Sequence, residues 1–556
     1  MPTVLIDNRE VTVPSGATLL DAARTLGIDV PTLCFCEGLP PNTTCMVCVM
    51  KVRRDSDNNH AGKLLPSCAT LAADGMTVES DTEEVRKARR MSLDLLLSDH
   101  SSECSAACQF ADRFDTDIPK MIRAIADDRL EEGIAVLRQA VPLAGVLSRT
   151  SRENSEGGCR RLVIDEAVGI GLLKRYVADK DLDSPAPYSP PCKPTSGKGV
   201  AIIGAGPAGL SAAYFLRQYG HACTLFDRGK APGGSLNAIS QEILPRDLLA
   251  KEIELIKKLG ATFEQSTDYV AADAPVGRSP EVTQASEATA PPVDQNPERQ
   301  RAGRDADTAE GGHATRLLLE KYDAVLIATG KSDTPRSINK TTHETDTTGV
   351  FAAGDVVRPH SDPARAAAAG KSAAHCIDQY LRGVTITGRQ KLFALGVGRP
   401  SNEESAALMV DTNAASRVLA RQADGGLSKA EAVLEAQRCM HCDCRATAHC
   451  KLRAYAEQYG ADAKRFKGER RRTERITAHP DIVYEPGKCI LCGICVQFAE
   501  QQREPLGLTH VGRGFDLKIT VPFDESMDKA LSAAARQCVE NCPTGALAWK
   551  REDSSR

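Results

Sequence analysis

Twenty cysteines are spread over 556 residues, and most fall into groups whose spacing suits iron or zinc. Cys34, Cys45, Cys48 and Cys68 read Cys-x10-Cys-x2-Cys-x19-Cys, with three thiols on one loop and a fourth further on. Two irons need four thiolates, and a loop wraps a two-iron rhomb when several ligands lie on it. Buried thiols or a zinc site are the bland alternative. Cys439, Cys442, Cys444 and Cys450 form a second, denser group. There the spacing leaves a [4Fe–4S] cluster and zinc both open, zinc with His441 or His449 as a further ligand. A third group, Cys489-x2-Cys492-x2-Cys495 with Cys538 and Cys542-Pro543 downstream, has an iron–sulfur pattern in which the proline fixes the turn that presents the last thiol. A different chemistry resides in Val200-Ala-Ile-Ile-Gly-Ala-Gly-Pro-Ala-Gly. Here Gly204 makes a tight turn after a buried strand, Gly206 admits a pyrophosphate to the backbone, and Gly209 lets the next helix pack closely. Asp227 ends the following strand pattern, placed for a ribose hydroxyl pair. No nucleophile–base–acid constellation stands out.

The elements that must carry these groups divide the chain into an α/β multidomain protein. Residues 1–80 alternate as a small β domain, with a strand–turn–strand at Val4–Val13 and a helix from Thr18 that ends at Gly27. Residues 81–183 read as a helical domain, and 184–198 as a Pro/Ser/Gly linker. An α/β unit spans 199–382, interrupted at 271–315 by a segment almost free of large apolar residues and expected to be disordered. A helical, cysteine-rich segment follows at 383–479, then a compact unit at 480–556. Lysine plus arginine number 70 against 74 acidic residues, a net charge of −4 that argues against a nucleic-acid protein. The N-terminus has no basic, apolar leader pattern, and no stretch reads as a membrane span, so a cytoplasmic protein is expected. The basic run Lys464–Arg475 reads as a solvated face or linker, with a docking surface for an acidic partner as the alternative.

Three resemblances sharpen this. Ile28-Asp-Val-Pro-Thr-Leu-Cys34, Cys45-Met-Val-Cys-Val-Met-Lys-Val and Leu65-Pro-Ser-Cys68 resemble the β-grasp [2Fe–2S] domain of the complex I iron–sulfur large subunit and iron-only hydrogenases, over residues 3–80. Asn42-Thr43-Thr44 stands where that family usually has a glycine, and Cys36 is an extra thiol. Residues 99–180 resemble the N-terminal helical domain of the glutamate synthase small subunit, through Asp117-Ile-Pro-Lys-Met-Ile-Arg, Ala135-Val-Leu-Arg and Leu173-Lys-Arg-Tyr-Val-Ala-Asp. That domain carries two [4Fe–4S] clusters on eight cysteines. This chain keeps Cys104, Cys108 and Cys159, with Asp112 and the run Ser148–Ser155 where others stood. A structural domain without metal is therefore expected, a site using Asp112 being the alternative. The final unit resembles a two-cluster ferredoxin, which implies one [4Fe–4S] on Cys489, Cys492, Cys495 and Cys542. The second cluster's positions are now Ala499, Ser532 and Ala535, with Cys538 left over.

Tyr322-Asp-Ala-Val-Leu-Ile-Ala-Thr-Gly330 and Gly349-Val-Phe-Ala-Ala-Gly354-Asp355 resemble the second half of the FAD-binding domain in the two-dinucleotide-domain flavoproteins. The resemblance implies FAD, with Asp355 at the ribityl chain. Gly330 and Gly349 stand too close to enclose a second βαβ unit of about 30 residues, so no built-in nicotinamide domain is expected. Cys192, Cys223 and Cys376 read as core or linker thiols.

One [2Fe–2S], two [4Fe–4S] and one FAD imply an iron–sulfur flavoprotein that exchanges electron pairs for single electrons. The expected role is an electron-transfer subunit, relaying electrons between FAD, the clusters and partner subunits: a diaphorase-type subunit and a terminal oxidoreductase such as a hydrogenase or formate dehydrogenase. A self-contained NAD(P)H-dependent oxidoreductase is the alternative. A scaffold with vestigial cofactors is a third reading.

Overall fold

The computed structural model describes the chain except residues 55–61, 102, 268–312, 331–336, 360–361, 390–392, 397, 399, 411, 421–424, 467 and 551–556. The insertion expected at 271–315 lies almost wholly outside the described residues; its last three residues open a helix.

The first domain is a mixed sheet with one helix across it. Strands β1 (Thr3–Ile6) and β2 (Arg9–Thr12) form a hairpin whose turn residues Asp7 and Asn8 are both left-handed, the conformation that matches strand twist. Helix α1 (Leu19–Thr25) starts at a Thr18–Asp21 capping box and stops before left-handed Gly27. Strands β3 (Val49–Arg54), β4 (Lys63–Pro66) and β5 (Met76–Glu79) complete the order β2-β1-β5-β3-β4, with β1 and β5 parallel. Helix α2 (Glu83–Ser98) is held to this sheet by buried Arg89, which donates to the carbonyls of Val49 and Ser80 at 2.9 Å each.

Helices α3 (Ala107–Ala111), α4 (Ile118–Ala126), α5 (Leu130–Ala140), α6 (Ala144–Thr150) and α7 (Ile170–Leu182) form the helical domain. It shares one apolar core with the α/β unit. Fully buried Arg138 on α5 joins the two: its guanidinium donates to Asp181 and to Glu252, each at 2.6 Å.

The α/β unit runs β6 (Gly199–Ile203), α8 (Pro207–Gln218), β7 (Ala222–Asp227), α9 (Arg246–Lys258), β8 (Thr262–Gln265), α10 (His313–Lys321), β9 (Ala324–Ile327), β10 (Val350–Ala352) and α11 (Pro363–Leu381). The sheet order is β10-β9-β6-β7-β8, all parallel. No strand or helix among the described residues lies between β9 and β10. Helices α8 and α11 cross closely at Gly370, where a Cβ would lie 2.1 Å from the Ala208 carbonyl oxygen.

Residues 383–479, expected to be a helical unit, are mostly irregular. Three short helices, α12 (Asn402–Leu408), α13 (Lys429–Ala436) and α14 (Lys451–Tyr459), are spaced along a strap with no sheet of its own. Such short helices gain little from propensity and depend on packing. Accordingly α13 packs on α4 and α7, and α14 on α2. The last unit contains β11 (Ile482–Tyr484), α15 (Ile494–Gln501), β12 (Thr509–Val511), β13 (Lys518–Thr520), α16 (Met527–Ala530), α17 (Ala535–Glu540) and β14 (Leu547–Trp549), with β11 paired to β14 and β12 to β13. No helix among the described residues is long and apolar enough to cross a membrane.

Candidate functional site: three thiol cradles and a glycine turn

Cys34, Cys45 and Cys48 sit on the loop between α1 and β3, and Cys68 follows β4; all four are buried together. The sulfurs of Cys48 and Cys68 share a hydrogen bond at 3.5 Å. Cys34 and Cys48 are held below the ordinary thiol value by hydrogen bonds from Cys45 and Cys68, and those partners are pushed up. Two of the four sulfurs therefore favour the thiolate that iron requires. Thr43, in the run that replaces the family's glycine, is left-handed at φ 53°, at a cost of about 1 kcal/mol. Its neighbour Asn42 uses that bend to reach the last domain, donating to the Cys492 carbonyl at 2.5 Å and accepting from Gln497 at 2.9 Å. Cys36 stands apart, with its sulfur on Asn541 Oδ1 at 3.3 Å.

Cys489, Cys492, Cys495 and Cys542 line one small pocket, with Tyr484, Pro543 and Leu547 among its walls. Leu491 is left-handed at φ 57°, which turns its amide onto Cys489 Sγ at 3.4 Å. Cys538 lines the same cavity, and its thiol points at the Cys495 carbonyl at 3.6 Å. The abandoned second ferredoxin site is filled: Ala499 and Ala535 are packed in the core, and Glu504 accepts from the amides of Ser532 and Ala534 at 2.7 Å each.

The third group does not stay together. Cys439 and Cys442 line a small pocket with Cys108 and Cys159 of the helical domain. Cys444 and Cys450 face Cys104 instead: the Cys444 amide meets the Cys104 carbonyl at 3.3 Å, and the three thiols act on one another electrostatically. The cause is the strap's docking. Arg123 on α4 grips Asp443 with two bonds of 2.9 Å, and buried Arg161 donates to the Arg438 carbonyl at 2.5 Å, so the two halves of the group are drawn to opposite sides. Of the two histidines considered as zinc ligands, His449 is exposed, and half-buried His441 has a buried Nδ1 without a hydrogen-bond partner. Among the described residues no His, Cys, Asp or Glu group is arranged for a single metal ion.

Burial pushes Cys439 up to about 12 and Cys108 and Cys442 well above the usual thiol value, so these sulfurs stay protonated until a metal displaces the protons. Cys159 reaches Cys108 because Gly158 lacks a side chain: a Cβ there would lie 2.6 Å from the Ala107 carbonyl oxygen. The pairing was hidden in sequence by the distance between segments. The available signal was two incomplete sets, each short of partners.

Asp112 is saturated by protein. It accepts from the amides of Phe114 and Thr116, the hydroxyls of Thr116 and Ser155, and the Lys174 ammonium. Burial would raise its carboxyl, but Lys174 and these bonds outweigh burial and hold it below the ordinary range. An ion-paired polar network thus occupies the end of the domain where Ser148–Ser155 replaces thiols, leaving Asp112 no lone pair directed at a metal.

In the α/β unit, Gly204 is left-handed at φ 107°, and a Cβ there would lie 2.4 Å from the Ala328 carbonyl oxygen. A Cβ on Gly209 would collide with the Gly204 carbonyl. At Gly206 a Cβ would meet nothing nearer than Gly234 Cα at 4.0 Å, so this face is open to a ligand that a side chain would obstruct. Gly206 caps α8, whose first amides face the turn. Asp227 accepts from the amides of Ala205 (2.6 Å) and Gly229 (2.7 Å), which fixes it beside the turn with lone pairs to spare. Gly330 and Gly354, both left-handed, end β9 and β10 at the same edge of the sheet, and Asp355 follows. All seven residues named from the sequence therefore border the carboxyl edge of one parallel sheet, where such folds bind ligands.

Three protein families match parts of the chain. Residues 2–83 match the 2Fe-2S iron-sulfur cluster binding domain family. Residues 81–185 match the family described as dihydropyrimidine dehydrogenase domain II, 4Fe-4S cluster. Residues 202–255 match an NAD(P)-binding Rossmann-like domain. The chain is 44% identical over 173 residues to the NADP(+)-dependent formate dehydrogenase subunit beta of Moorella thermoacetica, covering 27% of this chain and 24% of the relative. It is 38% identical over 155 residues to the NADPH-Fe(3+) oxidoreductase subunit beta of Geobacter sulfurreducens (27% and 23%). Over 109 residues it is 45% identical to the NADP-reducing hydrogenase subunit HndD of Solidesulfovibrio fructosivorans (19% and 18%). The chain thus spans about a quarter or less of these relatives' lengths. It is a mixed α/β chain built from 2Fe-2S, 4Fe-4S and Rossmann-like domains.

Proposed function

We propose that this chain is an electron-transfer subunit of a multi-subunit oxidoreductase, with a [2Fe–2S] cluster on Cys34, Cys45, Cys48 and Cys68 and a [4Fe–4S] cluster on Cys489, Cys492, Cys495 and Cys542. The observation that carries it is adjacency. Cys34, Cys45 and Cys492 belong to one apolar core, and Asn42 ties the first loop to the Cys492 carbonyl. Such clusters, when bound, pass single electrons, and FAD exchanges pairs. The chain's own residues exclude water from each cradle, aim amides at the sulfurs and fix the two loops against each other.

FAD is the ligand we assign to the α/β unit. The turn at Gly204–Gly209 and Asp227 suit a dinucleotide's pyrophosphate and ribose, and Gly354, Asp355 and the start of α11 border the same edge. A nicotinamide nucleotide in this crevice is the second reading, favoured by the family description of residues 202–255. The relatives' names point to formate dehydrogenase-type, hydrogenase-type or other NADPH-linked assemblies as the kind of partner. The test is an anaerobic visible titration of cofactor-analysed protein with NADH, NADPH and dithionite. Bleaching by dithionite alone supports a subunit reduced through partners. Rapid bleaching by NADH or NADPH contradicts that and favours a dehydrogenase in its own right.

A further inference from the structure

We infer that Cys108, Cys159, Cys439 and Cys442 form one composite [4Fe–4S] site, completed only when the strap after α13 docks on the helical domain. The inference rests on the electron-transfer reading for its purpose, and on geometry for its ligands. The four thiols line one small pocket, as the Cys489 set does. The remaining wall is largely apolar: Ala106, Ala107, Pro119, Ile122, Val168 and Ile170.

The turn geometry is an independent sign. In Cys439-Met-His-Cys442, His441 is left-handed at φ 45°. In Cys489-Ile-Leu-Cys492, Leu491 is left-handed at φ 57° with its amide on Cys489. A side-chain-bearing residue enters this region only at a cost. Two loops of unrelated sequence accept the same strain at the same position, the residue before the second sulfur of a Cys-x2-Cys pair.

The docking contacts flank the ligands. Arg438, next to Cys439, reaches Asp165 at 3.2 Å, and its carbonyl accepts from Arg161. Asp443, next to Cys442, is clamped by Arg123. Glu435 accepts from the Gly169 amide at 2.7 Å. Arg160 and Arg161 also line the cavity, supplying positive charge beside a site whose four thiolates outweigh the charge of the iron–sulfide core. Each half-set lacks two ligands by itself, and docking supplies them.

The test is metal analysis with Mössbauer spectroscopy on 57Fe-loaded full-length protein, comparing the parent with Cys108→Ser and Cys159→Ser. Each variant is expected to lose about four irons and one [4Fe–4S] component while keeping the [2Fe–2S] spectrum. Unchanged iron and spectra in both variants would overturn the site, as would stoichiometric zinc in the parent that disappears in Cys159→Ser. If a serine variant loses the [2Fe–2S] signal as well, it has misfolded, and Cys159→Asp decides: the carboxylate keeps an anionic ligand in place and is expected to alter one cubane component alone, whereas identical spectra refute the proposal. Loss of only this component's ligands, with the Cys34 and Cys489 sets intact, leaves the electron-transfer reading standing. A parent without any iron–sulfur spectrum would remove both.

Discussion

The cavity of the Cys489 set and the cavity between the helical domain and the strap share the same left-handed turn and a similar apolar wall. They differ in how the chain closes them. The first is assembled within one small domain, where α17 delivers Cys542-Pro543 to a loop some fifty residues earlier in the sequence. The second needs segments from distant parts of the chain, joined by Arg123–Asp443 and Arg161–Arg438. The thiol turn is thus a local property, while completeness of the site is a tertiary one. A third region sets the limit of the comparison: around Asp112 no thiol lines the pocket, and a buried Lys174–Asp112 pair lies in its wall.

The largest expected effect is at the self-contained cavity. Cys542→Ala should remove about four irons and one [4Fe–4S] signal, read by iron analysis and EPR, and leave the strap site loaded. Loss of both cubanes together would show that the two cavities are not independent.

Next comes the ion-paired region. Lys174→Met leaves the Asp112 carboxylate buried without its cation and should cost about 3–5 kcal/mol at pH 7.5, measured by anaerobic thermal melts. The sign with pH is specific. In the parent the folded pKa of Asp112 is lowered, so its stabilisation is present above about pH 4 and is lost below it. In the variant burial still raises that pKa and the Lys174 charge no longer opposes it, so the penalty is largest at neutral pH and should shrink by pH 5. A penalty independent of pH would mean that Lys174 acts through packing.

A smaller effect is expected where the dinucleotide turn is braced. Gly370→Ala places a Cβ 2.1 Å from the Ala208 carbonyl oxygen and should part α11 from α8, costing about 1–3 kcal/mol and lowering flavin retention with iron content unchanged. The smallest is at the seam between the first and last domains: Asn42→Ala removes its bond to the Cys492 carbonyl and should cost about 1 kcal/mol without loss of iron.

Much of this organisation was legible in the residues. The Asp7–Asn8 hairpin, the Thr18 cap, the glycine turn and the thiol sets of Cys34 and Cys489 are local patterns, and local patterns survive without knowledge of the fold. The strap departs from the helical unit expected at 383–479: Ser401 and Ser428 cap helices of only 7 and 8 residues, too short to form a unit of their own. The grouping of Cys439, Cys442, Cys444 and Cys450 failed for a related reason. Spacing within a segment cannot show that Asp443 and Arg438 are pulled by the helical domain while Cys444 and Cys450 turn toward Cys104. Asp112 likewise gave no sign of Lys174, its partner on another helix.

The claim beneath all of this is that the Cys34 and Cys489 sets are neighbouring stations for electrons. EPR of the fully dithionite-reduced, full-length protein tests it most directly. The account predicts magnetic interaction between the [2Fe–2S] and [4Fe–4S] centres, visible as splitting or broadening that disappears in Cys542→Ala. Two unsplit, independently relaxing spectra, unchanged when either centre is removed, would contradict it.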